Sequence, residues 1–284
     1  MYNGIIVKKE DMHIHTAFST DSDADMRECV LVAIKRGIKR IAFTEHFDAD
    51  YPEIYRDEIK KSMGETSFKL HKDFDTRPLF SFDFDEYVFK VNDLIDEFKG
   101  KIEIETGIEL GLRPNRPDTV KLYDETIKKY GFKVVLGSIH LVNDKDPYYE
   151  SEWTGTVDEM ISDYFDTMLT CVREYNCFNV LSHIDYIARY IPESKLNTDY
   201  VTYFNDIYNK NSDTIDEILK TIISRDIALE INTKGMDTCI KHAHPSDMIF
   251  ERFKALGGTR VSFGSDAHTI DKVGEHIWHL TELR

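Results

Sequence analysis

The chain has 284 residues, enough for one large α/β barrel or two average domains, and its 36 Lys and Arg residues against 52 Asp and Glu give a formal charge of −16. This balance weighs against a nucleic-acid backbone or an anionic membrane as a partner. A site for an anionic substrate would need its own positive charge, and bound metal ions are one source of it.

Two further absences narrow the class of protein. No apolar run approaches the length of about 18 residues that a membrane span requires, and the four cysteines include no Cys-x-x-Cys pair. The sequence therefore predicts a cytoplasmic protein with reduced thiols, without a thiolate zinc cluster or a dithiol redox motif.

The first chemical signal along the chain is Asp11-Met12-His13-Ile14-His15-Thr16. On a strand, residues two apart point to the same face, so His13 and His15 would present both imidazoles in one direction, with Asp11 beside them. This is an arrangement typical of metal ligands. Two solvent-facing histidines on an edge strand are the alternative interpretation.

Downstream, short apolar runs alternate with longer segments of helical periodicity. Further strands are predicted at residues 40–44, 101–109, 132–140, 178–183, 227–232 and 261–268, and helices at residues 25–36, 83–98, 118–130, 157–175, 199–224 and 245–256. Residues 48–82 show no clear period, and an irregular segment of this length is typical of a functional loop or lid. No linker or low-complexity tract interrupts the pattern, so we expect one domain over residues 1–284 with a lid-like insertion at about 48–82.

Strands that alternate with helices predict a parallel sheet, and polar residues at the strand ends predict its closure into a barrel. In such barrels the chemistry lies at the C-terminal ends of the strands. The metal-ligand residue types at those ends are His13, His15, His46, Glu109, His140, His183, Asp266 and His268.

This set, with Asp21, holds more ligands than one ion needs, so two or three divalent ions are expected. Imidazoles and carboxylates without thiolates suit Zn²⁺, Fe²⁺ or Mn²⁺ better than Ca²⁺ or Mg²⁺. A carboxylate can bridge two ions, and Glu109 is the candidate bridge.

The chain length and the segments Glu-Leu-Gly-Leu-Arg-Pro at 109–114, His-Ile-Asp-Tyr-Ile-Ala-Arg-Tyr at 183–190 and Glu-Ile-Asn-Thr at 230–233 look most like the monofunctional histidinol-phosphate phosphatases. These belong to the PHP (polymerase and histidinol phosphatase) metallohydrolases, and six motifs of this chain resemble, in order, the successive motifs of that family. The motifs are His13-x-His15-Thr16, Thr44-Glu45-His46, Gly107-Ile108-Glu109, Ser138-Ile139-His140, Ser182-His183-Ile184-Asp185 and Gly264-Ser265-Asp266-Ala267-His268. The resemblance implies a distorted (β/α)7 TIM-like barrel with a trinuclear metal centre and a role in histidine biosynthesis.

The resemblance also distributes the ligands. It assigns one ion to His13, His15, Glu109 and Asp266, a second to Glu109, His140 and His183, and a third to Asp21, His46 and His268. Asp23 competes with Asp21 for the third ion. Glu45 stands where many relatives carry Asp, a change that bears on the hydrogen bonds around the ligands rather than on ligation.

The implied reaction is hydrolysis of a phosphate monoester, first of all L-histidinol phosphate, by metal-activated attack of water on phosphorus. Arg189 and Arg113 are the candidate substrate-binding residues, because a guanidinium group donates two parallel hydrogen bonds to phosphate oxygens. Ordinary surface ion pairs are the alternative for both. Asp266, His268 and Arg189 form the candidate catalytic set, with Asp266 or His268 carrying a proton to the leaving alkoxide.

Two other functions compete with this interpretation. One is a phosphoesterase for another small phosphate ester or a nucleotide, although the net charge and the lack of a basic, aromatic-studded strip weigh against a nucleic-acid substrate. The other is a non-catalytic metal-binding protein, against which stands the open coordination that carboxylate and imidazole clusters leave. The sequence does not determine the oligomeric state.

Overall fold

The computed structural model describes residues 8–277 and residue 280. Within this part of the chain, seven parallel strands form one sheet in sequence order. The strands are β1 (Glu10–Ile14), β2 (Arg40–Phe47), β3 (Glu103–Gly111), β4 (Val134–Ser138), β5 (Val180–Leu181), β6 (Ala228–Asn232) and β7 (Val261–Gly264).

The two edges of the sheet meet just beyond the ends of β1 and β7. His15 N donates to Ala267 O at 2.8 Å, and Asp266 N donates to His13 O at 2.9 Å. The sheet is therefore a nearly closed barrel, and the predicted (β/α)7 TIM-like architecture is confirmed.

Helices follow or precede the strands on the outside of this barrel. The described residues form α1 (Met26–Lys35), α2 (Arg56–Ser62), α3 (Glu65–Leu70), α4 (Phe84–Glu97), α5 (Pro117–Tyr130), α6 (Val157–Glu174), α7 (Tyr200–Lys210), α8 (Ser212–Ser224) and α9 (Asp247–Ala255). The longest begins with a capping box, in which Thr156 and Glu159 satisfy each other's backbone N–H groups.

The inward faces of the strands change from apolar to polar along the barrel. Buried side chains of five strands pack together in its lower part, namely Met12, Ala42, Val134, Leu136, Val180 and Ala228. Since side chains alternate along a strand, the same inward faces continue to His46, Ser138 and Glu230. The register of β2 and β3 sets His46 directly beside Glu109. The strands thus deliver polar groups to one end of a dry interior.

The insertion at residues 48–82 has regular structure that the sequence pattern did not assign. It contains a short 3-10 helix (Glu53–Tyr55), α2 and α3, and its ends are joined by a hydrogen bond of 2.9 Å from Asp48 N to Phe80 O. Its buried apolar side chains form a small core of their own, namely Tyr51, Tyr55, Ile59, Phe74 and Leu79, packed with Leu141. The segment therefore covers the C-terminal end of the barrel as a packed unit.

Several predicted boundaries differ from the observed ones. β2 and β3 extend to Phe47 and Gly111, whereas β5 is limited to Val180–Leu181. The helix predicted at 199–224 is two helices, because the backbone turns at Asn211 and its side chain donates to Ile207 O at 3.0 Å, near the end of α7. An asparagine satisfies a helix end better than it continues a helix.

Among residues 8–277 and 280, no helix is both long enough and apolar enough to cross a membrane.

Candidate active site

Six imidazoles and three carboxylates converge at the C-terminal end of the barrel. His13, His46 and Glu109 lie on strands, and the others lie in the segments that follow strand ends. The structure brings together His13, His15, Asp21, His46, Glu109, His140, His183, Asp266 and His268, and groups of these residues place their ligand atoms close enough to hold an ion. The convergence follows from the parallel strands, whose C-terminal ends share one rim.

Glu109 lies at the centre of the cluster and is 1 % exposed. Its Oε2 is 3.2 Å from His13 Nε2, 3.2 Å from His15 Nε2 and 3.0 Å from His46 Nδ1. Its Oε1 is 3.2 Å from His140 Nε2 and 3.1 Å from His183 Nε2. The two oxygens of one carboxylate therefore face two different groups of imidazoles, as a bridging ligand would.

Hydrogen bonds on the far side of three rings fix which nitrogen faces the cluster. His13 Nδ1 is 2.7 Å from Glu230 Oε1 and His140 Nδ1 is 2.7 Å from Asp48 Oδ2; since ionised carboxylates only accept, both Nδ1 atoms donate. His15 Nδ1 donates to Ser19 Oγ at 3.1 Å, because the Ser19 hydroxyl donates to Glu45. With tautomers assigned in this way, the three Nε2 atoms carry lone pairs in the neutral rings, the form that binds a metal ion.

A third group of ligand types lies toward the opening. Asp21 Oδ2 is 3.2 Å from His268 Nε2 and 3.5 Å from His46 Nε2. Asp23 instead accepts from Thr66 N and Ser67 N at the start of α3. Of the two competing aspartates, the structure brings Asp21 to the cluster, while Asp23 anchors the insertion.

Asp266 joins the cluster to two basic side chains. Its Oδ1 is 3.9 Å from His13 Nε2 and 3.7 Å from His15 Nε2, while Arg189 Nη1 is 3.4 Å from its Oδ2. Lys234 Nζ donates to the backbone oxygen of Asp266 at 2.9 Å. Arg189 contacts the faces of two rings, with its Cζ 4.3 Å from the centroid of Tyr186 and 5.2 Å from that of Tyr190.

The electrostatics of the cluster favour added positive charge. Burial alone would raise the pKa of Glu109, but His13, His46 and His140 outweigh it and hold that pKa well below its usual range. Burial opposes a charge on His13, yet Glu109, Glu230 and Asp266 raise its pKa well above the ordinary value. The carboxylates therefore stay ionised and draw cations into the site.

A cavity of about 660 Å³ opens above the cluster. The insertion supplies Tyr51, Glu58 and Phe80 to its walls, and the segments after β4 and β5 supply Asp146 and Tyr186, among others. His268, Asp266 and Arg189 also line it. A small molecule in this cavity would contact both the ligand cluster and the basic side chains.

One predicted substrate-binding residue lies elsewhere. Arg113 follows β3 at the point where the chain leaves the barrel, and it contacts the backbone oxygen of Asp50 and the carboxylate of Asp144. It lines a separate pocket with Pro114 and Asn143, and not the cavity above the cluster. The structure therefore gives Arg113 a role in fixing loops rather than in binding phosphate.

Two other aspartates near the cluster hold loops instead of joining the imidazoles. Asp11 does not join the imidazoles; it accepts from Ser265 N, Ser265 Oγ and Gly274 N, and burial raises its pKa to about 6. Asp185 contacts His244 Nδ1 at 2.5 Å and accepts from Ser246 N at 2.7 Å. Both residues hold the loops that carry the cluster.

Sequence reasoning missed Glu230 and Lys234 as members of this site, and it named Asp48 only as one of several lid residues. Glu230 also accepts from His183 N at 2.8 Å, so one carboxylate orients the ring of His13 and holds the backbone of His183. Gly264 makes room for it, because a Cβ there would lie 2.4 Å from Glu230 Oε1. The available signal was a single acidic residue inside the buried strand Ala-Leu-Glu-Ile-Asn.

The residues fit a set of divalent metal ions. Glu109 Oε2 has no hydrogen-bond partner although imidazole nitrogens surround it, and His13 and His15 point lone pairs toward it. A cation between these atoms would satisfy all of them at once, whereas a single proton could not. The imidazole and carboxylate donors match first-row divalent ions.

Comparison with known proteins agrees with this geometry. The PHP domain family matches residues 11–234. A probable histidinol-phosphatase from Clostridium acetobutylicum is 35% identical over 93% of this chain and 88% of its own length, and the histidinol-phosphatase of Lactococcus lactis is 30% identical over 92% and 85%. The crystal structure of histidinol phosphate phosphatase from L. lactis, complexed with zinc, L-histidinol and phosphate, matches with a TM-score of 0.77 and 29% identity, covering 97% of this chain and 92% of that one.

Proposed function

The chain belongs to the PHP domain family, and from that membership we propose that it is a phosphoric monoester hydrolase that converts L-histidinol phosphate to L-histidinol and phosphate. This would place it in histidine biosynthesis. The observation that carries the proposal is the cluster around Glu109, whose two oxygens face separate groups of imidazoles below a cavity of small-molecule size. The L. lactis structure, complexed with zinc, L-histidinol and phosphate, supports the same substrate.

We propose two or three ions, of Zn²⁺, Fe²⁺ or Mn²⁺, with the ligands distributed over three positions. His13, His15, Glu109 and Asp266 would hold the first, Glu109, His140 and His183 the second, and Asp21, His46 and His268 the third. When bound, such ions act as Lewis acids toward phosphate oxygens and lower the pKa of water enough to supply a nucleophile near neutral pH.

The protein's own residues hold and orient these groups. Glu230, Ser19 and Asp48 accept the Nδ1 protons of His13, His15 and His140, and each ring thereby keeps its Nε2 directed into the cluster. Fixing the rings in advance removes the need to reorganise them when a charged substrate arrives.

Arg189 is the residue that we propose for the phosphate group. Its guanidinium group is 7 % exposed, stacks on tyrosine rings and reaches the cluster at Asp266, so its direction is fixed before a ligand binds. A planar fork held in this way suits two adjacent phosphate oxygens. Asp266 and His268 line the same cavity and are the proposed carriers of a proton to the leaving oxygen.

The test is phosphate release from L-histidinol phosphate beside a panel of sugar, nucleotide and amino-acid phosphates, with Zn²⁺ or Mn²⁺ supplied. We expect kcat/KM for L-histidinol phosphate to exceed that for every other ester. Equal and slow cleavage of all the esters would refute the substrate while leaving a metal-dependent phosphoesterase. Absence of hydrolysis under every condition would refute both and favour a metal-binding protein.

A further inference from the structure

The wall of the cavity formed by the insertion carries negative charge that the metal cluster does not use. Asp146 lies in the loop after β4 and lines the cavity together with Tyr51 and Glu58. In the part of the chain that the structure describes, neither Asp146 nor Glu58 forms an ion pair with a basic side chain. By contrast, the basic residues that line the cavity, Arg189 and Lys234, both contact Asp266.

Asp146 is held in one orientation. The Tyr51 hydroxyl donates to its Oδ2, and Tyr148 N donates to its Oδ1 at 2.9 Å. Its own backbone N–H donates to Tyr55 OH at 3.2 Å. Because burial raises the pKa of Asp146, its ionised form would gain from a cation in the cavity.

A second acceptor on the same wall lacks a donor. Asp48 is 4 % exposed and lines the cavity, and its Oδ2 contacts His140 Nδ1, while its Oδ1 has no hydrogen-bond partner. Burial, with the charges of Asp146 and Asp48, raises the pKa of Tyr51, whose hydroxyl donates to Asp146. The wall therefore offers the carboxylate of Asp146 to a ligand, while Asp48 Oδ1 is enclosed beside the ligands of the proposed second ion.

A compact cation with several N–H donors would be complementary to this wall of the cavity. L-histidinol phosphate carries its amino group on the carbon next to the phosphoester methylene. With phosphorus at the metal cluster, this protonated amine would lie only a few bonds away, within reach of the wall around His140. An ammonium group donates three hydrogen bonds from one atom, whereas the imidazole ring of the substrate donates one when neutral and two when protonated, so the amine suits a compact acceptor site better.

We propose that Asp146 is a specificity-determining residue that pairs with the protonated amino group of the substrate. This inference rests on the proposed function, and it adds the reason why an amino-alcohol phosphate is preferred to a neutral ester. The same carboxylate would disfavour esters that carry a second negative charge near the phosphate.

The test combines one isosteric substitution with one change in the substrate. Asp146→Asn is compared with the wild-type protein on L-histidinol phosphate and on its deamino analogue, which keeps the imidazole ring and the phosphate. We expect kcat/KM for L-histidinol phosphate to fall about 10- to 100-fold, mainly through KM, because a charge-assisted hydrogen bond is lost. For the deamino analogue, the change should stay below about threefold.

The matched control is Asp163→Asn, an exposed aspartate on α6 whose side chain accepts from Asn143. It should leave both rates unchanged. If Asp146→Asn slows both substrates equally, the residue supports the fold and the proposal is overturned. It is also overturned if neither rate changes.

Failure of the proposed function would look different. If the wild-type protein does not cleave L-histidinol phosphate, the comparison is repeated with O-phosphoethanolamine and ethyl phosphate. If Asp146→Asn loses activity toward O-phosphoethanolamine but not toward ethyl phosphate, the result would support a cation site for a different amino-alcohol phosphate. An equal loss of activity toward both esters would overturn the proposed cation site at Asp146.

Discussion

Glu230 Oε1 lies 2.7 Å from His13 Nδ1, and both side chains are shielded from solvent. The other oxygen of Glu230 accepts from His183 N at 2.8 Å and from Asn232 Nδ2 at 3.1 Å. One carboxylate below the cluster therefore accepts from three donors and orients ligands that come from opposite sides of the barrel. Groups of this kind set metal affinity nearly as strongly as the ligands themselves.

Glu230→Gln should weaken metal binding. The side-chain NH2 of a glutamine donates, so it would face one of the three donors that the carboxylate now accepts. The ring of His13 then loses the acceptor that fixes its tautomer. We expect zinc affinity to fall about 10- to 100-fold, measured by titrating metal-stripped protein against a competing chelator. Glu251→Gln, on the exposed face of α9, serves as the control and should bind zinc as the wild-type protein does. Equal affinity in Glu230→Gln would show that the contact does not orient His13.

Arg189→Lys should impair the reaction although it keeps the charge. A lysine cannot stack on Tyr186 and Tyr190 in the same way, and it offers no planar fork to two phosphate oxygens. We expect kcat/KM to fall about tenfold or more, and inhibition by inorganic phosphate to weaken in parallel. Unchanged inhibition by phosphate would exclude Arg189 from the phosphate site.

Arg113→Lys should affect stability rather than activity. The side chain is 9 % exposed, and it ties the Asp50 backbone to Asp144 at a distance from the cavity. We expect a loss of about 1–2 kcal/mol in the free energy of unfolding, measured in urea, with kcat/KM changed less than about twofold. A selective rise in KM with no loss of stability would restore Arg113 as a substrate-binding residue.

His71 should make stability depend on pH. Its Nε2 donates to Ala17 O at 3.2 Å, its Nδ1 accepts from Arg77, and burial with the Arg77 charge lowers its pKa to about 4. The unfolded chain takes up a proton near pH 6.5, so the stabilisation is complete above that pH and is lost as the pH falls toward 4.

Urea unfolding of metal-stripped protein at pH 7.5 and pH 5 measures this effect. His71→Gln has no titrating group at this position. Between the two pH values, the free energy of unfolding of the wild-type protein should therefore fall by about 2 kcal/mol more than that of the variant. Equal losses would mean that His71 is protonated in the folded protein as readily as in the unfolded chain.

Much of the fold follows from local patterns. Apolar runs alternating with amphipathic helices predicted the parallel barrel, and the rule that strand ends meet at one rim predicted which residues converge. The structure brings His13, Glu109 and Asp266 together, although they are far apart in the chain. The length of β5 and the break at Asn211 could not be predicted, because tertiary packing and a local cap decide them.

The parts of the site that escaped prediction did so for different reasons. Lys234 lies in a short 3-10 helix and Asp146 in a loop, where no periodicity indicates the direction of a side chain. Glu230 lies inside a buried strand, where the apolar neighbours dominate the pattern. Arg113 was expected at the phosphate because it follows Glu109 by four residues, but the chain leaves the barrel after Gly111.

The most direct test of the account is the rate of phosphate release from L-histidinol phosphate as Zn²⁺ or Mn²⁺ is added stepwise to metal-stripped protein. We expect no activity without metal, and an increase that saturates at two to three equivalents, with Glu109→Gln inactive at every addition. Full activity in the stripped protein, or a Glu109→Gln variant with the wild-type rate, would contradict a metal-dependent reaction centred on Glu109.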